Sequence, residues 1–521
     1  MFRLLKKQRL AARGLSCGKT RLAASESTVL PGLEESPWVR GAIMLAAAGV
    51  LLLLCLTGER QEPFRDLLAS LLVLAFTVLQ AALGCGRVFQ ANSRFALYLG
   101  LILVQVGAGV FLESQATTGH LDPSLLPLIL PYTLAPLFLS VLMGAQAALS
   151  ACLAAALWWT VLQHAPDATP LLLSLGSGLV AVLSTLRVRR RSRLLRAGFY
   201  AGVTVWIIAL LSGLIGPAPW GDLPSADWHR ISLESMAAVG AGIFTAVFVS
   251  GCLPVLEQGF RITTEISLLE MADLNHPLLR RLSMEAPGTY HHSLAVANLA
   301  EACAERTGAN PTLCRVSAYF HDVGKLVKPE YFVENMPAGG NPHDSLTPTM
   351  SALVILSHVK EGVDLALRNK LNPRLIDAIS QHHGTTLVEY FYQRARRQER
   401  DARAGGSLMN VRPEDIPTVS EESFRYPGPK PQTLEAVILG LADAAESATR
   451  SLERPTLQRI DDLVHDLLQD RITDGQYDEA EVTLSQLQEI AATLVSSLGS
   501  MLHNRITYRR HDEAADEVLP S

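Results

Sequence analysis

The chain has 521 residues, a formal net charge of -5 and seven cysteines. This length is enough for two or three domains, and the nearly balanced charge does not indicate a nucleic-acid polymer as a partner. The cysteines form no CxxC motif and have no paired spacing, which favours free thiols in a reducing compartment over a disulfide framework. Leu, Ala, Val and Gly dominate residues 41–256, whereas residues 257–521 contain most of the charged side chains.

Eight apolar stretches follow one another in the first half of the chain. Each approaches the ~20 residues that a helix needs to cross a hydrocarbon layer of about 30 Å. A globular domain built from them would lack a polar face, so we predict an α-helical membrane domain of about eight spans. Pro127, Pro131 and Pro136 interrupt the fourth stretch and leave the count at seven or eight. The stretches are residues 41–57, 66–84, 95–113, 124–142, 145–163, 169–187, 196–216 and 233–256.

Lys and Arg residues predict the orientation of the spans. The N-terminal segment is basic, and the loop RVRRRSRLLR at residues 187–196 contains six arginines. The positive-inside rule puts both in the cytoplasm, where the arginines would contact anionic lipid headgroups. Three other loops contain a single arginine between them and are predicted outside, namely residues 114–123, 164–168 and 217–232. An even number of crossings then returns the charged half of the chain to the cytoplasm.

These patterns divide the chain into four predicted parts of a multi-pass plasma (inner) membrane protein. They are a basic cytoplasmic segment at residues 1–40, the membrane domain at residues 41–256, a cytoplasmic domain at residues 257–510 and a polar tail at residues 511–521.

Seven of the fourteen histidines lie within one short part of the cytoplasmic half. Asn310-Pro311, Thr347-Pro348 and Asn372-Pro373 each pair a capping residue with a proline at the first helical position, and so predict three helix starts. Histidines follow at the last turn of each predicted helix. The seven are His291, His292, His321, His343, His358, His382 and His383.

Helical periodicity separates the two histidines of the first pair. His292 shares a stripe with Val296, Leu299 and Cys303, whereas His291 aligns with a more polar face. We therefore predict that His292 points into the core and that His291 does not. A buried imidazole without a partner costs about 1–3 kcal/mol, so inward-facing histidines require a shared partner.

A metal ion would satisfy several converging imidazoles at once. His382 and His383 align with apolar positions of their own predicted helix, and Asp322 directly follows His321. Neutral imidazole and carboxylate together suit iron, manganese or zinc. Adjacent helical residues point about 100° apart, so such pairs can straddle two ions, with the carboxylate as the natural bridge. Any one of these histidines alone is more typical of a hydrogen-bonded core residue, but the constellation favours a metal centre.

With these residues the sequence resembles the HD-domain metal-dependent phosphohydrolases. It is most similar to the seven-transmembrane HD family of the PgpH type, membrane-anchored phosphodiesterases that cleave cyclic di-AMP. The resemblance covers about residues 257–508, extends more loosely over the membrane region and implies an all-α HD domain. Its motifs are MEAPGTYHHSLAVANLAE, YFHDVGKL, NPHDSLTP, HVKEGVDLA, QHHGTTLVEYFY, FRYPGPKPQT and LADAAESATRSL.

The resemblance implies two metal ions, iron or manganese, with Asp322 as the bridge between them. Lys325 would reach a phosphate oxygen of the substrate, which makes Asp322 and Lys325 the expected catalytic residues. Gly384 and Thr385 would lie near the ligand. The implied metal ligands form two groups: His292, His321, Asp322 and Asp443 for one ion, and Asp322, His358, His382 and His383 for the other.

Two metal ions about 3.5–4 Å apart can activate water and neutralise charge on a phosphoryl group during hydrolysis. The expected reaction opens one bond of cyclic di-AMP and gives linear 5′-pApA. Two alternatives stay open: hydrolysis of cyclic di-GMP or of a guanosine polyphosphate, and a receptor that binds a cyclic nucleotide without cutting it. VKPEYF follows FHDVGKL where the cyclic di-GMP branch usually has a GYP tripeptide, which argues against that branch. The native metal, the sensed signal and homodimer formation are left open.

Two further segments are a short loop between the first two spans and a polar stretch of the cytoplasmic half. In the family a large extracytoplasmic sensor domain commonly follows the first span, whereas only TGERQEPFRD separates the first two spans here. Residues 394–423 are polar and are predicted as a surface insertion. Phe424, Arg425 and Tyr426 after it would either cover the adenine bases or form a packed turn.

Overall fold

The structure is a computed structural model that describes nine stretches of the chain. The predicted tail at residues 511–521 and most of the predicted segment 1–40 lie outside them. The described residues are mainly helical and contain no β-strand, only an isolated bridge between Leu387 and Arg425. The predicted all-α fold is therefore confirmed. The stretches are residues 31–57, 62–162, 168–186, 188, 190–216, 227–336, 340–406, 418–452 and 455–503.

The chain divides into two compact units, with one boundary between Ser267 and Leu268. The first unit contains long apolar helices. Each predicted apolar stretch coincides with one of them to within a few residues, except that the fourth is split in two. The helices are α1 (Pro37–Thr57), α2 (Pro63–Gly84), α3 (Asn92–Thr117), α4 (Leu134–Leu142), α5 (Ala145–Leu162), α6 (Thr169–Thr185), α7 (Ser192–Leu211) and α8 (Trp228–Phe260), with short helices at Pro31–Glu34, Gly86–Phe89 and Leu126–Ile129.

Within the described part of the chain, six helices are long and apolar enough to cross a membrane: α1, α2, α3, α5, α7 and α8. The segments Leu126–Leu142 and Thr169–Thr185 are apolar but shorter. These helices indicate a membrane domain, and the count of seven or eight spans stays a prediction. Parts of the loops on which the orientation rests, including residues 163–167 and 217–226, lie outside the described residues.

The break in the fourth apolar segment follows from its prolines, which cannot donate a backbone hydrogen bond. Between Ile129 and Leu134 the backbone leaves the helix, and a buried side chain of α3 replaces the missing partners. Gln105 Nε2 donates to the carbonyl of Tyr132 at 2.9 Å, and the Ala135 amide donates to Gln105 Oε1 at 2.8 Å. A broken helix is tolerated in an apolar surrounding when its backbone groups are satisfied in this way.

Helices α7 and α8 approach closely at three glycines. A Cβ atom at Gly198 would lie 2.5 Å from the carbonyl oxygen of Gly242, and one at Gly202 would lie 2.7 Å from that of Val239. Gly198 and Gly202 are four residues apart and so share one helix face. This is the small-residue spacing that brings helix backbones together in membranes.

The second unit is a bundle of shorter helices around a main core and a smaller buried cluster. Helix α11 packs against α10, α12, α16 and α18, and its buried stripe includes Val296, Leu299 and Cys303, as predicted. After α9 (Glu265–Met271), which contains the boundary, the helices are α10 (Pro277–Glu285), α11 (Pro287–Thr307), α12 (Pro311–Phe320), α13 (Pro348–Arg368), α14 (Pro373–Gln381), α15 (Glu389–Gly406), α16 (Leu434–Arg450), α17 (Leu457–Thr473) and α18 (Leu484–His503). Short 3-10 turns lie at Val323–Val327, Pro329–Tyr331, Val333–Asn335, Pro342–Ser345 and Glu421–Phe424.

All three predicted helix starts are confirmed. The side chains of Asn310, Thr347 and Asn372 accept hydrogen bonds from the first-turn amides of α12, α13 and α14. One predicted helix end is wrong, because α13 continues ten residues beyond His358 to Arg368. The predicted surface insertion is helical at its start, where residues 394–406 complete α15, and residues 407–417 lie outside the described residues.

Candidate metal centre

The seven side chains expected to bind metal come from three helices, α11, α13 and α16, and from the segments directly after α12 and α14, and they converge inside the second unit. They form two groups, and in each group the donor atoms all lie within 4.8 Å of one another. Six of the seven are buried and His383 is half-buried. Asp322 belongs to both groups, which are His292, His321, Asp322 and Asp443, and Asp322, His358, His382 and His383.

Two glycines allow the segments that carry these residues to touch. A Cβ atom at Gly324, just after the His321-Asp322 pair, would overlap the carbonyl oxygen of His358 on α13. A Cβ atom at Gly440 on α16 would overlap the carbonyl oxygen of His382 at the end of α14. Both positions therefore require the absence of a side chain, since a larger residue would push the histidine-bearing helices apart.

Three of the histidines are held in a single tautomer by their own helices. In each, Nδ1 lies within hydrogen-bond distance of the carbonyl three residues earlier, and because a carbonyl can only accept, Nδ1 must carry the proton. Nε2 is then left as the lone-pair donor facing the centre, the usual arrangement of a metal-binding histidine. The pairs are His321 with Ala318 at 2.8 Å, His358 with Ile355 at 2.6 Å and His382 with Ile379 at 2.8 Å.

His292 has a different partner behind it. Its Nε2 lies 3.0 Å from Asp443 Oδ1, and its Nδ1 lies 2.6 Å from Glu446 Oε2. Glu446 is buried and is paired in turn with Arg450 one helical turn later. Glu446 is absent from the predicted site residues, although its position three residues after Asp443 on one helix face was a usable signal.

The two oxygens of Asp322 face different groups. Oδ2 lies 3.2 Å from His321 Nε2 and 3.7 Å from His292 Nε2, whereas Oδ1 lies 3.4 Å from His358 Nε2 and 3.8 Å from His382 Nε2. Among the described residues neither His321 Nε2 nor Asp322 Oδ1 has a hydrogen-bond partner. Buried polar atoms are rarely left in this state unless another group satisfies them. Imidazole nitrogens and carboxylate oxygens at these spacings fit divalent transition-metal ions.

The electrostatics separate the histidines into two classes. Burial, together with the neighbouring His321, lowers the pKa of His382 to about 3, and burial also lowers the pKa of His358 and of His383. These three are neutral at physiological pH, as metal ligands must be. Burial also disfavours the charged form of His321, but the Asp322 and Asp443 carboxylates outweigh it and raise the pKa to about 10. A bound cation would replace that proton.

Lys325 lies at the edge of the centre and is largely buried. Its Nζ is 2.7 Å from Asp322 Oδ2 and 2.8 Å from Glu334 Oε1. Glu334 was not identified from the sequence, because it lies in a short turn without a helical pattern. Thr289 also donates to this carboxylate, at 2.9 Å, so the turn is tied to α11.

Gly384 and Thr385 follow the His382-His383 pair directly. Gly384 has a φ of 56°, in the left-handed region that favours glycine. The buried Gln476 fixes Thr385, since the Thr385 amide donates to Gln476 Oε1 at 2.9 Å and Gln476 Nε2 donates to Thr385 Oγ1 at 3.0 Å. The Thr385 hydroxyl therefore has a protein partner beside the centre.

Tyr426 and Phe424 lie in different surroundings. Tyr426 stacks on His383 with ring centroids 4.2 Å apart, whereas Phe424 is buried in a separate cluster with Ala352. Phe424 therefore belongs to a packed turn, and Tyr426 lies at the centre.

Two of the seven clustered histidines lie outside both donor groups. His291 is exposed, as its stripe predicted, and His343 is buried but belongs to neither group. His343 Nε2 instead donates to the Tyr331 carbonyl at 2.8 Å.

An all-α unit with a buried His-Asp pair and further histidines from neighbouring helices defines the class of HD-domain proteins. A family model described as HD domain matches residues 289–448. A second model, described as 7TM receptor with intracellular HD hydrolase, matches residues 37–264. The chain belongs to this family of membrane HD hydrolases.

The chain is similar to two curated proteins named Cyclic-di-AMP phosphodiesterase PgpH. The protein of Listeria monocytogenes serotype 1/2a (strain 10403S) is 36% identical over 405 residues, which are 77% of this chain and 52% of that one. The protein of Bacillus subtilis (strain 168) is 39% identical over 332 residues, which are 64% of this chain and 44% of that one. The chain thus spans about half the length of these relatives.

Two solved structures also match. The HD domain of the L. monocytogenes phosphodiesterase PgpH is 44% identical, with a TM-score of 0.39 over 44% of this chain and 100% of that chain. The same domain in complex with cyclic-di-AMP matches with a TM-score of 0.40 over 44% of this chain and 98% of that chain.

Proposed function

We propose that this chain is a membrane-anchored, metal-dependent phosphodiesterase that hydrolyses cyclic di-AMP to 5′-pApA. The observation that carries the proposal is the shared carboxylate: the two oxygens of Asp322 face two separate groups of donor atoms. The nucleotide is taken from the names of the curated relatives, both of which are cyclic-di-AMP phosphodiesterases.

The donor set supports two divalent ions, and iron or manganese suits its mixture of imidazole and carboxylate. When bound, two such ions activate water and stabilise the charge that develops on the phosphoryl group. In this proposal the group around His292 and Asp443 would hold one ion, the group around His358, His382 and His383 would hold the other, and Asp322 would contribute to both. Backbone carbonyls behind His321, His358 and His382 fix these rings so that each Nε2 faces the centre.

Lys325 binds a phosphate oxygen in this proposal and draws the substrate towards Asp322. This role is supported by the ion pair between Lys325 and Asp322, which places a buried cation at the edge of the centre. Glu334 balances that cation when no phosphate is near. Tyr426, stacked on His383, covers one side of the centre.

We place residues 41–256 in the plasma membrane, with the basic segment 1–40, the catalytic domain at residues 257–510 and the tail 511–521 in the cytoplasm. Support comes from the six long apolar helices and from the family description, which calls the HD hydrolase intracellular. The arginine-rich loop at residues 187–196 agrees with this orientation under the positive-inside rule.

The test is turnover by the full chain, purified in detergent and loaded with iron or manganese. Cyclic di-AMP and cyclic di-GMP are supplied separately, and products are separated by liquid chromatography. We expect pApA from cyclic di-AMP, with slower cleavage of cyclic di-GMP. A faster reaction with cyclic di-GMP would contradict the choice of nucleotide.

A second measurement separates an enzyme from a receptor. His382→Ala removes a donor from one group only, so nucleotide binding through the other group and Lys325 should persist. Turnover should fall by about two orders of magnitude or more, the scale of losing one electrostatic contact to a transition state. A metal-loaded parent chain that binds cyclic di-AMP and releases no pApA over hours would identify a receptor instead.

A further inference from the structure

The two donor groups are unequal in charge. The group around His292 contains two carboxylates, Asp322 and Asp443, whereas the group around His358 contains Asp322 alone with three histidines. The second group therefore offers one shared carboxylate and three imidazole rings. In a buried site such a difference matters, because the attraction between charges grows as the surrounding dielectric falls.

Glu446 adds a third carboxylate on the same side. Its Oε2 accepts from His292 Nδ1 at 2.6 Å, a distance typical of a charge-assisted hydrogen bond. By contrast, His321, His358 and His382 are backed by neutral backbone carbonyls. A carboxylate behind a metal-binding histidine fixes its tautomer and makes its free nitrogen a stronger donor.

The position of Glu446 is itself fixed. The residue is 7% exposed, and Arg450 on the next turn of α16 forms an ion pair with its other oxygen. Asp443 lies one turn before Glu446 on the same helix, so α16 presents both carboxylates to His292, one to each ring nitrogen. Helix α16 thus holds His292 from both sides.

We propose that Glu446 is a positioning residue that makes the group of His292, His321, Asp322 and Asp443 the tighter of two metal sites. The inference rests on the proposed metal centre and adds an order of binding to it. One ion binds first and is lost last at the side of His292. The ion at the side of His358, His382 and His383 exchanges more readily, so occupancy of that second site decides whether the centre is complete.

The test measures metal content rather than activity. Full-length protein is equilibrated with Mn²⁺ in buffers of graded chelator strength, and bound manganese per chain is determined by mass spectrometry. We expect the parent chain to lose its two ions in two steps. His383→Ala should keep one ion per chain, with the affinity of the tighter step.

In the His383→Ala background, Glu446→Gln should lower the affinity for the remaining Mn²⁺ ion by about 10–100-fold, the usual effect of removing a partner behind a metal ligand. Glu489→Gln on the exposed face of α18 is the matched control and should leave the affinity unchanged. Circular dichroism at saturating Mn²⁺ verifies that each variant is folded. An unchanged affinity in the folded Glu446→Gln variant would overturn the proposal.

The order of binding can also be decided without any change at Glu446, should the Glu446→Gln variant fail to fold. The affinity of the parent chain for its first ion should equal the affinity of His383→Ala for its single ion. If it equals the affinity of His292→Ala for its remaining ion instead, the order is reversed and the inference is refuted. A parent chain that binds no Mn²⁺ would refute the metal centre itself. Two ions bound with equal affinity would refute only the inferred order of binding.

Discussion

Each oxygen of the Asp322 carboxylate faces a different set of histidines, so this one side chain connects both halves of the centre. Its burial would be unfavourable without compensating cations, since an isolated buried carboxylate is strongly disfavoured. Burial opposes ionisation of Asp322, but His321 and Lys325 outweigh it and keep the pKa of this carboxyl well below its ordinary value. Asp322 is therefore ionised and available as a ligand at physiological pH.

We expect Asp322→Ala to abolish hydrolysis and to lower the metal content, because one carboxylate serves both groups. The measurement is bound metal per chain together with pApA release. His291→Ala is the matched control: this neighbour of His292 is exposed, so the variant should keep substantial activity and its metal. Two ions retained at full occupancy in Asp322→Ala would contradict the bridging role.

At the scale of elements, helices position groups that no single helix could assemble. The His-Asp and His-His pairs directly follow α12 and α14, and close contacts at Gly324 and Gly440 bring these segments against α13 and α16. The first unit uses the same device between α7 and α8, where Gly198, Gly202 and Gly242 leave no room for side chains. In both units, glycine is needed where two backbones approach.

We predict that Gly242→Ala destabilises the first unit. A Cβ atom there would lie 2.7 Å from Gly202 Cα, and relieving such overpacking typically costs about 1–3 kcal/mol. Thermal unfolding of the purified chain, followed by loss of the monodisperse peak in size-exclusion chromatography, should show a lower midpoint. Gly240→Ala on the same helix is the control, because its Cβ atom would have no heavy atom of the described residues within 4 Å. Equal midpoints for the two variants would contradict the importance of this contact.

At the scale of the whole molecule, the proposal requires a defined orientation in the membrane. Reporter fusions after residues 192 and 500 should report the cytoplasm, because the arginine-rich loop and the catalytic domain are expected on the same side. Fusions near residues 60 and 224 should report the outside. An external signal at residue 192 would exclude the eight-span arrangement. A cytoplasmic signal at residue 224 would exclude the two spans on either side of that loop, at residues 196–216 and 233–256.

Sequence alone was sufficient wherever the determinant is local. Runs of about 20 apolar residues predicted the long helices of the first unit, and three capping residues predicted the starts of α12, α13 and α14. A helical stripe distinguished buried His292 from exposed His291. Family resemblance, in turn, named seven side chains that the fold brings into two groups.

The tertiary structure decided what depends on contacts between distant segments. Glu446 reaches His292 across 154 residues, and Gln476 reaches Thr385 across 91. A local pattern could mark Glu446 as a neighbour of Asp443 on one helix face, but it could not identify either of these long-range contacts. The same holds for His343, which clusters with the other histidines in sequence but packs against Tyr331 outside both groups. Periodicity fixes which face of a helix is buried. Only packing determines which neighbour that face meets, because the neighbour is brought there by other helices.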